Sequence, residues 1–273
     1  MRKRLLNLGL TLIVATAIAG FGQKGEAETL SDPVEIMKTA HLNLYYMGDD
    51  GRAVVVMKLV DKKGKERVRK FIMYRLDIEE GGQQKYYTYF LEPSDVRRTS
   101  FMVWKEPEKD DSRWIYVPSV DLVRRISAND KGSSFVGSDF SYEDVSGRHW
   151  TDDDHTLVKE EELNGKMAYV IESVPRGKDA FAKKITWVSQ EDMVPLREEY
   201  YDKKDRLVKV FEAMEVTEVD GYLTVTVRKM TDVKKNHYTI VDFSDIQYDV
   251  DVADELFTDR YLQAPPSQLV AGS

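Results

Sequence analysis

The chain has 273 residues, 42% hydrophobic and 11% aromatic, with no cysteine and a formal net charge of −8. That apolar content supports a large core and excludes a disordered or low-complexity chain. The missing cysteine excludes disulfides, thiolate metal sites, a cysteine nucleophile and a lipidated N-terminal cysteine, and the acidic balance argues against nucleic-acid binding.

The first segment reads Met1-Arg2-Lys3-Arg4, then an uncharged stretch over 5–23 that ends near the small-x-small triplet Gly25-Glu26-Ala27. This is the order of a cleavable export signal, predicting removal of residues 1–27 and a mature domain over 28–273. Removal takes away four basic residues and one acidic residue, so the balance moves from −8 to −11. The stretch is diluted by Asn7, Gly9, Thr11, Thr16, Gly20 and Gly22, which weakens the rival reading of an uncleaved anchor. A periplasmic destination is expected.

A short helix is predicted at 31–37, from Ser31 and Asp32 as caps, Pro33 in the first turn and Glu35 behind it. Strands follow over 54–60, 68–76, 86–91, 99–104, 114–117, 167–174, 184–188, 196–201, 207–216, 222–230 and 238–243. Asn164-Gly165 and Asp220-Gly221 read as hairpin turns, as do the polar stretches 61–64 and 202–205. A second short helix is predicted at 252–257. In strand 222–230, Tyr222, Thr224, Thr226 and Arg228 form the polar row, and Leu223, Val225, Val227 and Lys229 the other. The expected fold is therefore mainly β (α+β): a curved antiparallel half-barrel of about ten or eleven strands, with short helices as a lid over a hydrophobic cavity.

Chemistry-bearing motifs are sparse. The four histidines, His41, His149, His155 and His237, show no zinc spacing, and the acidic run Asp152-Asp153-Asp154 lacks the glycine and glutamate of a calcium loop, so it reads as a solvated loop. Around Ser138 there is no nucleophile elbow, and Lys131-Gly132-Ser133 lacks the upstream glycine of a phosphate loop. No catalytic residue, metal or cofactor is expected. Met57, Met73, Tyr87, Phe90, Phe101, Val103, Trp114 and Tyr116 are the expected cavity lining.

One set of blocks is more specific: Asp95, Arg97, Thr99 and Phe101 after Pro93; Trp114 to Pro118; Arg124 and Arg125; and Asp139, Tyr142 and Asp144 after Gly137. In order and spacing over roughly residues 33–265 the chain resembles the outer-membrane lipoprotein-sorting-protein family, relatives of the periplasmic carrier LolA. The resemblance implies an incomplete barrel with helices across its open side, a cavity for lipid or lipoprotein acyl chains, and no catalysis. It also implies partners such as an outer-membrane acceptor or an inner-membrane transporter of the resistance-nodulation-division type. The alternative reading is a non-catalytic accessory or sensor protein that partners such a transporter or another envelope protein. A monomer is expected. Arg124 and Arg125 are expected to pair structurally with Asp139, Glu143 and Asp144, and the lid helix, near 34–47, to act as a gate. Where the family usually reads Arg-Gly-Thr, this chain has Arg98 before Thr99, so a different local bend is expected there.

Overall fold

The computed structural model describes residues 30–266, so the predicted export signal over 1–27 lies outside the described residues. Helix α1 (Pro33–Tyr45) starts where the sequence places it: the Asp32 carboxylate accepts the Val34 amide at 2.9 Å and Pro33 sits in the first turn. It runs on to Tyr45 because Ile36, Met37 and Ala40 bury one stripe against Tyr169, Ile171 and Val188.

Thirteen strands form one antiparallel sheet. They are β1 (Asp50–Val60), β2 (Glu66–Asp77), β3 (Gln84–Glu92), β4 (Ser100–Lys105), β5 (Ser112–Val117), β6 (Leu122–Ile126), β7 (Asp153–Leu163), β8 (Lys166–Pro175), β9 (Lys183–Ser189), β10 (Pro195–Tyr201), β11 (Leu207–Val219), β12 (Tyr222–Asp232) and β13 (His237–Tyr248). The spatial order is β6-β5-β4-β3-β2-β1-β13-β12-β11-β10-β9-β8-β7. The chain thus begins at the middle of the sheet, walks to one edge, crosses to the far edge and walks back, so that β13 pairs with β1.

The turns follow local chemistry. Asn164-Gly165 and Asp220-Gly221 both have two consecutive positive φ values, the type I′ geometry that matches strand twist. In the β1–β2 turn the Asp61 carboxylate accepts the amides of Lys63 and Lys65 at 2.8 and 3.0 Å, and Asp202 does the same for Lys204 and Arg206 at 2.9 and 3.1 Å.

Two more strands exist than the eleven expected. They are β6 and β7, the two edges. An edge strand needs few apolar residues, and β7 carries the charged run Lys159 to Glu162 where an interior strand carries valine. The supposed solvated loop at Asp152–Asp154 is therefore the entry into β7, with Asp153 buried against Arg148. The expected helix at 252–257 is a single tight turn at Asp254–Leu256, followed by α3 (Asp259–Gln263).

Three pieces cover the sheet. On one face α1 lies over β7, β9 and β12. The crossover, residues 127–152, lies over the same face and contains α2 (Tyr142–Ser146), sending Phe135, Phe140 and Tyr142 into the main core with Phe71, Phe90 and Phe101. A reciprocal cap secures α2: the Asp144 amide donates to Ser141 Oγ at 3.2 Å, and the Ser141 amide to Asp144 at 2.6 Å. On the opposite face the C-terminal segment packs Leu256, Phe257 and Leu262 on Ile72, Tyr74, Tyr87, Met102 and Tyr116. The Asp50 carboxylate fixes the start of that segment by accepting the amides of Val250 and Val252, each at 2.8 Å.

Candidate functional site

Between the sheet and the crossover lies an apolar cavity with an open mouth and about 140 Å³ of free space. Strands β1, β2 and β13 supply Ala53, Met57, Phe71, Met73, Val241 and Phe243 to its walls. The crossover closes it with Phe135, Phe140 and Val145, and the C-terminal end of α1 with Leu44 and Tyr45. An apolar hollow with a few polar groups at its edge has the character of a small-molecule or lipid site.

Of the residues expected to line the cavity, Met57 and Met73 do so. Phe90, Phe101 and Val103 share that face but are sealed in the core, Phe90 and Phe101 beneath Phe135 at ring distances of 5.8 and 5.3 Å. Tyr87, Trp114 and Tyr116 do not belong to the cavity and must be corrected. They project from the opposite face into the second core cluster, where Tyr87 donates to the Tyr261 carbonyl at 2.7 Å. The reason is physical: β3 to β5 are buried on both faces, so no alternation marks which residues point inward. Tyr86, not Tyr87, faces the cavity.

The motif residues mostly build scaffold. Tyr142 is buried 5.3 Å from the Phe101 ring, and Pro118 opens the tight turn Pro118–Val120. Thr99 is buried where its carbonyl accepts the Phe90 amide at 2.9 Å, while Asp95 and Arg97 are exposed in the preceding turn. The expected pairing of Arg124 and Arg125 with Asp139, Glu143 and Asp144 is not formed. Arg125 donates to Ser112 Oγ at 3.0 Å, and Arg124 hydrogen-bonds Tyr142. The three carboxylates have nearer partners: Asp139 takes His237 and Thr239, Glu143 takes Lys131 at 2.7 Å, and Asp144 takes Lys209 at 2.5 Å. The crossover brings Asp144 to β11 and Asp139 to β13, which sequence order alone does not reveal, while Glu143 pairs within the crossover.

Arg98 takes φ +68°, the left-handed region that suits glycine, while its amide donates to the Phe90 carbonyl at 2.8 Å. The bend is therefore made, with strain of about 1–2 kcal/mol. Arg98→Gly removes that strain and adds roughly 0.5–1 kcal/mol of unfolded-state entropy. A net gain of about 0.5–1 kcal/mol is expected in urea unfolding; a loss would contradict the strain assignment.

Beneath α1 a second, smaller and more polar cavity adjoins the first, sharing Leu44, Tyr45, Phe140, Asp144 and Arg228 with it. Three histidines stand around it. His149 and His155 have both ring nitrogens engaged: His149 with Thr151 Oγ1 (2.6 Å) and the Gly81 carbonyl (3.2 Å), His155 with Ser173 Oγ (2.8 Å) and the Trp150 carbonyl (2.7 Å). Ser173 is fully buried, so the His155–Ser173 pair offers no accessible nucleophile. His41 sits among the rings of Tyr45, Tyr46, His149 and Trp150 with Nε2 unpartnered. Burial, then the nearby charges of Lys105 and Lys184, holds its pKa well below the usual value, so it is neutral.

A cation hub closes this end. Arg148 reaches Asp153 at 2.8 Å, Asp179 at 2.6 Å and Glu143 at 3.3 Å. Burial opposes its charge, but hydrogen bonding and attraction from Asp153, Glu143 and Asp179 outweigh burial and raise its pKa. Lys184 is matched by Glu198 at 2.7 Å. The one metal-capable grouping among the described residues is Asp139, Asp232 and His237. Its members are already engaged, Asp232 by Lys235 at 2.8 Å and Asp139 by Thr239 at 2.8 Å and by His237.

Sequence reasoning missed Phe135, Phe140 and Arg228. The first two are isolated aromatics in a Gly/Ser-rich stretch, a signal of a loop that dips into a core. Arg228 stands on the polar row of β12, yet that row faces the cavity.

Comparison with known proteins adds the family. A family model described as an uncharacterized protein matches residues 82–264. No curated protein matches the chain. Among solved structures, a DUF1329 family protein from Desulfovibrio piger is 32% identical with TM-score 0.78, covering 85% of this chain and all of that one. An assigned outer-membrane lipoprotein-sorting-protein domain from Vibrio parahaemolyticus is 27% identical with TM-score 0.78, covering 85% of this chain and 98% of that one. A LolA superfamily protein from Nitrosomonas europaea, at 20% identity and TM-score 0.66 over 84% of this chain and 98% of that one, shares the fold. The open sheet thus shares its fold with a LolA superfamily protein, and the chain belongs to the DUF1329 family.

Proposed function

We propose that the protein is an exported, periplasmic carrier that shelters an acyl chain of a lipid or lipoprotein and passes it between the membranes, with no catalytic step of its own. The observation that supports this reading is the open apolar cavity walled by Ala53, Met57, Phe71, Met73, Val241 and Phe243. The mechanism is solvent exclusion. Each methylene moved from water into the cavity gains about 0.8 kcal/mol, so about ten gain roughly 8 kcal/mol. A bilayer offers the same gain per methylene, so uptake and release are nearly balanced exchanges and the chain can be handed on. Among the described residues no helix is long and apolar enough to cross a membrane.

The gate in this proposal is the C-terminal end of α1, where Leu44, Tyr45 and Met47 meet the cavity. The test is uptake of a fluorescent fatty acid by the mature protein and by Ala53→Trp, whose indole fills the space between β1 and the crossover. Saturable one-to-one uptake by the parent, weakened at least tenfold in a folded Ala53→Trp, is expected. No uptake by the parent, or equal uptake by both, contradicts the reading.

A further inference from the structure

Arg228 does not fit a cavity built only to exclude water. It lies on β12 where the apolar and polar cavities meet, and it lines both. Its guanidinium stands 4.8 Å from the Phe243 ring and 5.9 Å from the Tyr45 ring. Its hydrogen bond is a long one, from Nε to the Val225 carbonyl at 3.4 Å.

The other cations of these walls are matched. Lys184 has Glu198 at 2.7 Å, Arg148 has Asp153 and Asp179, Arg52 has Asp245 at 3.2 Å, and Arg75 has Asp77. The carboxylates that share the polar cavity with Arg228 are already claimed, Asp144 by Lys209, Glu198 by Lys184 and Asp153 by Arg148. Among the described residues Arg228 enters no ion pair, and besides these carboxylates the phenols of Tyr45, Tyr86 and Tyr248 lie near it. Burial lowers its pKa, but a guanidinium keeps its charge in a protein. A half-buried guanidinium between two aromatic faces, with no anionic partner, is a ready site for an arriving anion.

We propose that Arg228 is the headgroup receptor of the cavity, and that the ligand is an amphiphile with an anionic head, a carboxylate or a phosphate, held at Arg228 with its acyl tail along Met57, Met73 and Val241. The planar fork of the guanidinium fits either oxyanion through two parallel hydrogen bonds. The tail then occupies the apolar wall of β1, β2 and β13. The proposal rests on the carrier reading and narrows it, because an uncharged acyl group would leave Arg228 unmatched.

The test compares oleate, 1-oleoyl-lysophosphatidate and oleyl alcohol, which share one chain and differ in the head. Binding is measured by calorimetry below the micelle concentration, with the parent protein, Arg228→Gln and Arg228→Lys. The parent should bind at least one of the two anions about 10- to 100-fold more tightly than the alcohol; the tighter anion identifies the head. Arg228→Gln should lose that preference while holding the alcohol within about threefold, and Arg228→Lys should recover part of it. Equal binding of all three by the parent, or a preference that survives in Arg228→Gln, overturns the assignment and leaves the cavity reading standing. Failure of all three to bind the parent overturns the cavity reading as well. The comparison within the parent needs no variant, so it decides the question even if Arg228→Gln does not fold.

Discussion

Replacing Arg148 by methionine should lower the stability of the protein by about 3–5 kcal/mol, since one partner of a buried charge cluster is removed and the others stay behind. The cluster is unusually dependent on this residue. Arg148 alone joins Asp153 at the start of β7, Asp179 in the β8–β9 connection and Glu143 in α2, and it also donates to the Asp152 carbonyl at 3.3 Å. Asp153 and Asp179 expose 3% and 6% of their side chains, so water cannot take over from the guanidinium. Lys131, at 2.7 Å from Glu143 and 3.3 Å from Asp179, compensates for part of the charge but does not reach Asp153 in any ion pair. For a domain of this size the loss corresponds to a fall in Tm on the order of 10 °C. Thermal unfolding followed by circular dichroism tests this; a variant that melts within about 2 °C of the parent would show that the cluster is not a structural lock.

Gly147→Ala is expected to cost about 2–4 kcal/mol, from backbone strain and overpacking together. Gly147 follows α2 with φ +75° and ψ +150°, a region that residues with a side chain rarely enter. A Cβ at this position would lie 2.5 Å from the ring of Tyr45, and the buried Lys105 ammonium anchors the neighbouring carbonyl of Ser146 at 3.0 Å. The backbone therefore cannot retreat, and Tyr45 has to move. That displaces the end of α1 from the mouth of the cavity. Amide exchange should quicken at residues 42–46 before it quickens in β1 or β13, and the melting temperature should fall. Unchanged protection at those amides would contradict the view that α1 and the crossover close the cavity together.

The parts of the fold that were legible in the sequence are those where local chemistry decides. Asn164-Gly165 and Asp220-Gly221 had to be tight hairpin turns, and Asp32 with Pro33 had to begin a helix. The two edge strands were hidden because β6 is only five residues long and charged residues interrupt the apolar pattern of both β6 and β7. β6 carries Arg124 and Arg125, and β7 carries a run of glutamates. Which aromatics line the cavity was not legible either. Tyr86 and Tyr87 are adjacent and both buried, one beneath the crossover and the other beneath the C-terminal segment, and only the three-dimensional order of the layers separates them. Arg228 was hidden for the opposite reason: in an alternating strand an arginine reads as solvent-facing, whereas here the solvent-side reading is reversed by the cavity.

The most direct measurement is native mass spectrometry of the mature protein, purified from cells without detergent, followed by extraction and identification of whatever it carries. The account predicts a stoichiometric acyl-chain ligand. A protein that arrives empty and then fails to take up a fluorescent fatty acid would contradict it.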